Sequence, residues 1–240
     1  ETAALMSALF INIKVDREER PDLDKVYQTA HQLLARRPGG WPLTVFLTPD
    51  GQQPFFAGTY FPREPRHGLP SFSQVLQGVE RAYREQKEAI AAQTQDLMAA
   101  FAGLEPEGRG TLPDLSLWDA ALRQLADSFD AQHGGFGQVP KFPHPTDLEL
   151  LLRRYATSAD AGHPDADALH RARLTLERMV RGGVNDQLGG GFYRYSVDDL
   201  WMIPHFEKML YDNGPLLALC CDAYAITGEP LFRDAAISTA

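Results

Sequence analysis

Two kinds of hydrophobic spacing divide this chain. In its first hundred residues, short alternating runs sit between helical ones. Residues 1–9 read as the tail of a helix, and Phe10-Ile-Asn-Ile-Lys-Val-Asp16 alternates apolar and polar positions as a strand does. Pro21 opens a helix to about Ala35, with Leu23, Val26, Tyr27, Ala30 and Leu34 on its apolar side. Pro38-Gly39-Gly40 ends it. Trp41 to Thr48 and Pro54 to Tyr60 then read as two strands joined by a Pro49-Asp50-Gly51 turn, a hairpin signal. A single long helix is expected from Ser71 to about Gly103. Glu105 to Asp114, rich in Gly, Pro and charge, reads as a linker.

Beyond the linker the period is helical throughout. Expected helices are Ser116–Asp130, Thr146–Thr157, Pro164–Gly182, Pro204–Thr227 and Pro230 to the end. A weak repeat runs through them: helix, Gly-Gly-Phe loop, Pro-His helix start. Phe136 and Phe192 stand 56 residues apart, and His144 answers His205. The stretch Gly191–Val197 alternates enough for a short strand or hairpin over the loop end.

The stretch Asp198–Asn213 concentrates the candidate chemistry. A helix begun at Pro204 would put His205, Lys208 and Asp212 on one face that continues as Leu216, Leu219 and Ala223. A stripe that is polar at its mouth and apolar deeper in suits a helix whose N-terminal end lines a cleft. His205, Glu207 and Asp212 are candidate acid/base groups for glycosidic or epimerisation chemistry. Trp201 and Tyr193 are candidates for a stacking platform, with Lys208 and Tyr211 as further substrate contacts. The same residues admit structural readings. Lys208 and Asp212 form an i, i+4 pair, Asp198 or Asp199 would cap a helix, and Trp201 with Tyr193 would pack as a lid. Asp186, His133 and His144 lie in neighbouring loops, too scattered for a recognisable metal-ligand spacing. No metal and no cofactor are expected.

Composition narrows the classes. With 44% hydrophobic and 23% charged residues the chain is of globular type, and no run approaches a membrane span. The net charge of −9 argues against nucleic-acid and anionic-membrane partners. Cys220 and Cys221, adjacent in an apolar helical run, read as buried thiols, which fits a cytoplasmic protein.

Four motifs in order, Ile13–Asp22, Gly39–Pro49, Gly58–Pro62 and Pro204–Asn213, resemble the spermatogenesis-associated, thioredoxin-domain-containing family. The resemblance covers essentially the whole chain. It implies an α/β plus all-α architecture: an incomplete thioredoxin-like domain at 1–104, a linker at 105–112, and at 113–240 the first hairpins of an α/α-toroid of the six-hairpin-glycosidase kind. It implies that Pro42 is the cis-proline of the thioredoxin-like fold. It also implies a Cys-x-x-Cys motif and a strand upstream of residue 1, and later hairpins after residue 240. Redox activity is therefore not expected of this stretch. The resemblance leaves three functions open: action on a small-molecule or glycan substrate, a protein thiol partner for the full-length protein, and a non-catalytic scaffold.

Overall fold

The computed structural model describes residues 1–104 and 114–240, so the linker placed at 105–112 lies outside the described residues. Two compact units, Glu1–Gly110 and Thr111–Ala240, divide the chain.

The first unit is α/β. Helices α1 (Thr2–Leu9) and α2 (Pro21–Ala35) precede the strands β1 (Thr44–Leu47) and β2 (Pro54–Gly58), followed by α3 (Phe72–Glu85) and α4 (Lys87–Ala102). β1 and β2 pair antiparallel, Thr44 opposite Gly58 and Phe46 opposite Phe56, with a bulge between Phe46 and Leu47. Phe46 and Phe55 bury against Val75, Leu76 and Val79 of α3 and Ile90 of α4. Ser71 and Gln74 form a capping box that starts α3.

Two expectations change here. The strand expected at Phe10–Asp16 is not formed: Phe10 is extended and packs edge-on against Phe46 at 5.2 Å, but the segment joins no ladder among the described residues. A strand is defined by its partners, and alternation alone supplies none; Ile11 and Ile13 are 93% and 76% exposed. The long helix expected from Ser71 to Gly103 is two helices, broken at Gln86 (φ −122°, ψ 39°). The break turns α4 back onto α2 and β2, where Gln93 Nε2 donates to the Phe55 carbonyl at 3.2 Å. A straight helix could not reach both.

The second unit is all-α: α5 (Leu115–Ser128), α6 (Pro145–Asp160), α7 (Ala166–Arg181), α8 (Leu210–Thr227) and α9 (Pro230–Thr239). Leu148, Leu151 and Leu152 of α6, Leu176 and Met179 of α7, Leu216 and Leu219 of α8 and Phe232 of α9 share one core. α8 begins at Leu210, six residues later than expected. The backbone there pairs with a neighbouring extended segment instead: His205 N donates to the Tyr195 carbonyl at 2.8 Å, and Pro204 bridges to Ser196.

The repeat is real and more regular than its spacing suggested. Phe129 bridges Phe136, and 56 residues on Asn185 bridges Phe192. In each turn an aspartate stands at the entry. Asp130 Oδ1 accepts from the amides of Gln132 and His133, and Asp186 Oδ1 from those of Leu188 and Gly189. A lysine then closes each turn from outside. Lys141 Nζ donates to Asp130 Oδ2 (2.5 Å) and the Gly134 carbonyl (2.8 Å), and Lys208 Nζ to Asp186 Oδ2 (2.6 Å) and the Gly190 carbonyl (2.7 Å). Glycine is needed in both: a side chain on Gly135 (φ +84°) would lie 2.6 Å from Trp201, and one on Gly190 (φ +73°) would run into the Ser238 carbonyl.

The two locks differ in burial. The Lys141 side chain is 2% exposed and adds a third acceptor, the Asp199 carbonyl at 3.0 Å, so all three ammonium protons are used. The Lys208 side chain is 36% exposed. Removing a buried charge from its partners is costly, whereas exposed pairs contribute little. Lys141→Ala is expected to destabilise the helical unit by about 3 kcal/mol or more, and Lys208→Ala by about 1 kcal/mol or less. Urea unfolding of the two variants side by side checks the contrast; equal losses would contradict it.

Candidate functional site

Of the stretch Asp198–Asn213, residues 198–209 fold as a strap, and only residues 210–213 belong to a helix, α8. The strap's first part closes a hairpin with residues 194–197. Val197 N donates to the Ile203 carbonyl at 2.9 Å and Arg194 N to the Glu207 carbonyl at 2.7 Å. Asp198 Oδ1 ties the bend by accepting from Ser196 Oγ and the amides of Leu200 and Met202, all at 3.0 Å. Burial opposes this carboxylate, but these donors outweigh it and hold its pKa below the ordinary value. A third extended piece lies alongside, because Lys141 and Ser196 exchange amide–carbonyl bonds of 2.9 Å.

Three extended segments therefore run side by side, with Lys141, Ser196 and Pro204 in register. Successive side chains of extended backbone point to opposite faces. One face carries Lys141 and Ser196 into the interior, 1% and 0% exposed. The residues one step along, Phe142, Tyr195 and His205, stand together on the other face. Phe142 and Tyr195 have ring centroids 4.9 Å apart, and Tyr195 and His205 stack at 4.7 Å and 17°. Glu207 is 3.9 Å from His205 Nδ1, and both side chains are about half exposed.

The other candidates separate from this pair. Asp212 is buried and bonded at 2.6 Å to Arg194, whose guanidinium lies 4.8 Å over the half-exposed Tyr211 ring. Lys208 does not pair with Asp212 at i, i+4; it locks Asp186, because residues 205–209 are not helical. Tyr193 lies under Lys208 at 5.2 Å and packs edge-on against Phe206. Partial burial, and then its bond to Asp186, push the Tyr193 phenol upward. Trp201 is a core residue: it is 0% exposed and spends its Nε1 on the His133 carbonyl at 3.0 Å, which leaves no ring face for a ligand. An open depression of about 510 Å³ borders Asn185, Asp186 and Gly190 on one side and Asp234 and Ser238 of α9 on the other. Neither His205 nor Asp212 lines it.

In the first unit the Trp41-Pro42 peptide is cis. Trp41 stands 59% exposed beside it, its Nε1 held by Asp24 at 2.8 Å and its ring covered by Arg17 at 4.1 Å. Among the described residues, no group of three or more His, Cys, Asp or Glu is placed to hold a metal ion, and no helix is long and apolar enough to cross a membrane.

Sequence reasoning passed over Lys141, Asp130, Phe142, Tyr195 and Arg194. The repeat carried the signal for one of them, Asp130: each Gly-Gly-Phe turn has an aspartate at the same distance before its phenylalanine.

Residues 1–102 match the family model Thioredox_DsbH, described as "Protein of unknown function, DUF255". Over 243 residues, 98% of this chain, it is 37% identical to spermatogenesis-associated protein 20 of Rattus norvegicus and equally to that of Homo sapiens. Along nearly its whole length the chain is thus similar to the spermatogenesis-associated, thioredoxin-domain-containing family. Another relative, an uncharacterised protein of Caenorhabditis elegans, is 39% identical over 94% of the chain. The chain spans about 30% of the length of these relatives. That similarity fits the thioredoxin-like α/β unit followed by helices, and leaves the chemistry to the side chains.

The turn electrostatics give a pH dependence. Burial tends to raise the Asp130 carboxyl, but the Lys141 ammonium and the amides of His133 and Gln132 outweigh it and hold it down to about 2. Asp186 is held well below the carboxylate range, chiefly by the Gly189 amide and then by Lys208. A depressed carboxyl stabilises the fold above its unfolded-state pKa, and that contribution is lost as pH falls through the folded one. For Asp130 the contribution is on the order of 2 kcal/mol. Stability of the helical unit is therefore expected to fall between about pH 4 and pH 2. In Asp130→Asn that slope should shrink; an unchanged slope in urea titrations across this range would contradict the assignment.

Proposed function

We propose that the helical unit is the opening portion of a carbohydrate-acting α/α-toroid, and that His205 and Glu207 form its acid/base and ligand-contacting pair. The observation that carries this reading is the exposed His205–Glu207 pair stacked on Tyr195, on a strap whose neighbouring charges are already committed. Asp212 and Lys208 are consumed in ion pairs and Trp201 in the core. The half-exposed imidazole and carboxylate remain open to a ligand. An imidazole and a carboxylate 3.9 Å apart are the two kinds of group that general acid/base chemistry employs. Imidazole, carboxylate and a phenol tip together supply the donors and acceptors that a neutral polyol requires. Asp212 enters this reading as a positioning residue, since its bond to Arg194 secures the hairpin that carries Tyr195. Cys220 is buried as expected but Cys221 is exposed; both are free thiols, which suits the cytoplasm as the working compartment.

The test is a panel of neutral glycans and free sugars presented to the chain, with binding and turnover both read. At least one sugar class is expected to bind, with His205→Ala and Glu207→Gln each weakening binding or turnover tenfold or more. Binding and turnover indifferent to both substitutions would refute the assignment.

A second reading concerns the first unit. Trp41, exposed beside Pro42 in a thioredoxin-like domain, is suited to contact an extended peptide or thiol partner. Titration with a cysteine-containing peptide should shift the tryptophan emission, and Trp41→Phe should abolish the shift. A shift that persists in Trp41→Phe would exclude this surface.

A further inference from the structure

The ring row does not stop at Phe142. Besides Tyr195, Phe142 meets His144 at 6.4 Å in an edge-on contact. His144 mirrors His205: its Nδ1 lies 3.5 Å from Asp147, as His205 Nδ1 lies 3.9 Å from Glu207. Both imidazoles are about half exposed, with side-chain exposures of 45% and 49%. The order along the row is thus carboxylate, imidazole, Phe142, Tyr195, imidazole, carboxylate. Each histidine comes from one copy of the repeat, at the Pro-His position that follows its Gly-Gly-Phe turn.

This symmetry has a physical origin. The bond exchange between Lys141 and Ser196 brings the first repeat's Pro-Lys-Phe-Pro-His segment beside the second repeat's hairpin. The two imidazoles therefore end one continuous row, although 61 residues separate them in sequence. His144 is held at the head of α6 in the left-handed region (φ 48°) as the helix N-cap residue. It makes no side-chain capping bond there, so its imidazole is turned to Asp147 and the ring row.

We infer that the row is one elongated binding site for a neutral oligosaccharide chain, with the His205–Glu207 pair at one end and the His144–Asp147 pair at the other. The inference rests on the carbohydrate reading above and adds a length to its ligand. Side chains standing off extended backbone present their tips outward. The tips here are imidazole nitrogens and carboxylate oxygens at both ends, with the phenol between them. Hydroxyl groups along a sugar chain pair with all of these. A carboxylate at each end disfavours an anionic ligand such as a phosphate. A single sugar ring engages one end, and a chain engages both, which adds a second contact at high effective concentration.

A length series decides it. Gluco-, cello-, malto-, xylo- and chito-oligosaccharides of increasing length, from one sugar to six, are titrated into the chain by calorimetry. The same titrations are made with His144→Asn, Asp147→Asn and His205→Ala. Asparagine is chosen at position 144 because it tolerates the left-handed backbone there. The expected result is a rise in affinity of tenfold or more with length in one series. His144→Asn and Asp147→Asn should each abolish that rise, whereas His205→Ala should weaken every length. Affinity independent of length, or a rise that survives both substitutions at the 144–147 end, overturns the inference and leaves the carbohydrate reading standing. Failure of every sugar to bind overturns both, as does an oligolysine peptide binding the row in place of sugars. Circular dichroism of each variant separates loss of fold from loss of contact.

Discussion

The buried ammonium of Lys141 is the interaction on which the helical unit depends. Burying a charge is expensive unless every proton finds an acceptor. Here one carboxylate and two carbonyls, from Asp130, Gly134 and Asp199, take all three, and the Trp201 ring lies 5.7 Å away. Those acceptors belong to three different stretches of chain: the first Gly-Gly-Phe turn, the helix end before it and the strap. One side chain thereby joins the first repeat to the loop of the second. The backbone of the same residue pairs with Ser196, so lock and ladder share an anchor.

From that anchor the site follows by geometry. If Lys141 and Ser196 point inward, their neighbours Phe142 and Tyr195 point outward, and the pairing of Ser196 with Pro204 adds His205 beside them. The ring row is thus a consequence of pleating and of one buried lysine. The second lock repeats the first at lower stakes. Lys208 meets the same two kinds of acceptor around Asp186 but stays partly in solvent, which makes it a tether for the strap's far end.

Much of the fold was legible in the sequence, and the failures have identifiable causes. Pro21 and Pro145 mark helix starts because local bonding there agrees with the helix. Pro204 carries the same signal, yet its neighbours pair with Tyr195 and Ile203, a tertiary choice that no local pattern encodes. Without that helix His205, Lys208 and Asp212 share no helical face, and the cleft mouth their spacing predicts is not formed by it. Phe10–Asp16 alternates like a strand but has no ladder among the described residues. The period of 3.6 continues through Gln86, so periodicity could not reveal the break there. The histidines of the two repeats were visible as equivalents. Their meeting through Phe142 and Tyr195 was not, because it depends on a pairing between residues 141 and 196.

The central claim is that Lys141 positions the ring row, and native-state hydrogen exchange tests it most directly. The amides of Lys141, Ser196 and His205 hold the three extended segments together. In the unaltered chain they should exchange slowly and as one cooperative group. In Lys141→Met, which keeps the stem's bulk and removes the charge, all three should lose protection together while amides within α7 and α8 remain slow. Protection of Ser196 and His205 that survives this substitution unchanged would contradict the account.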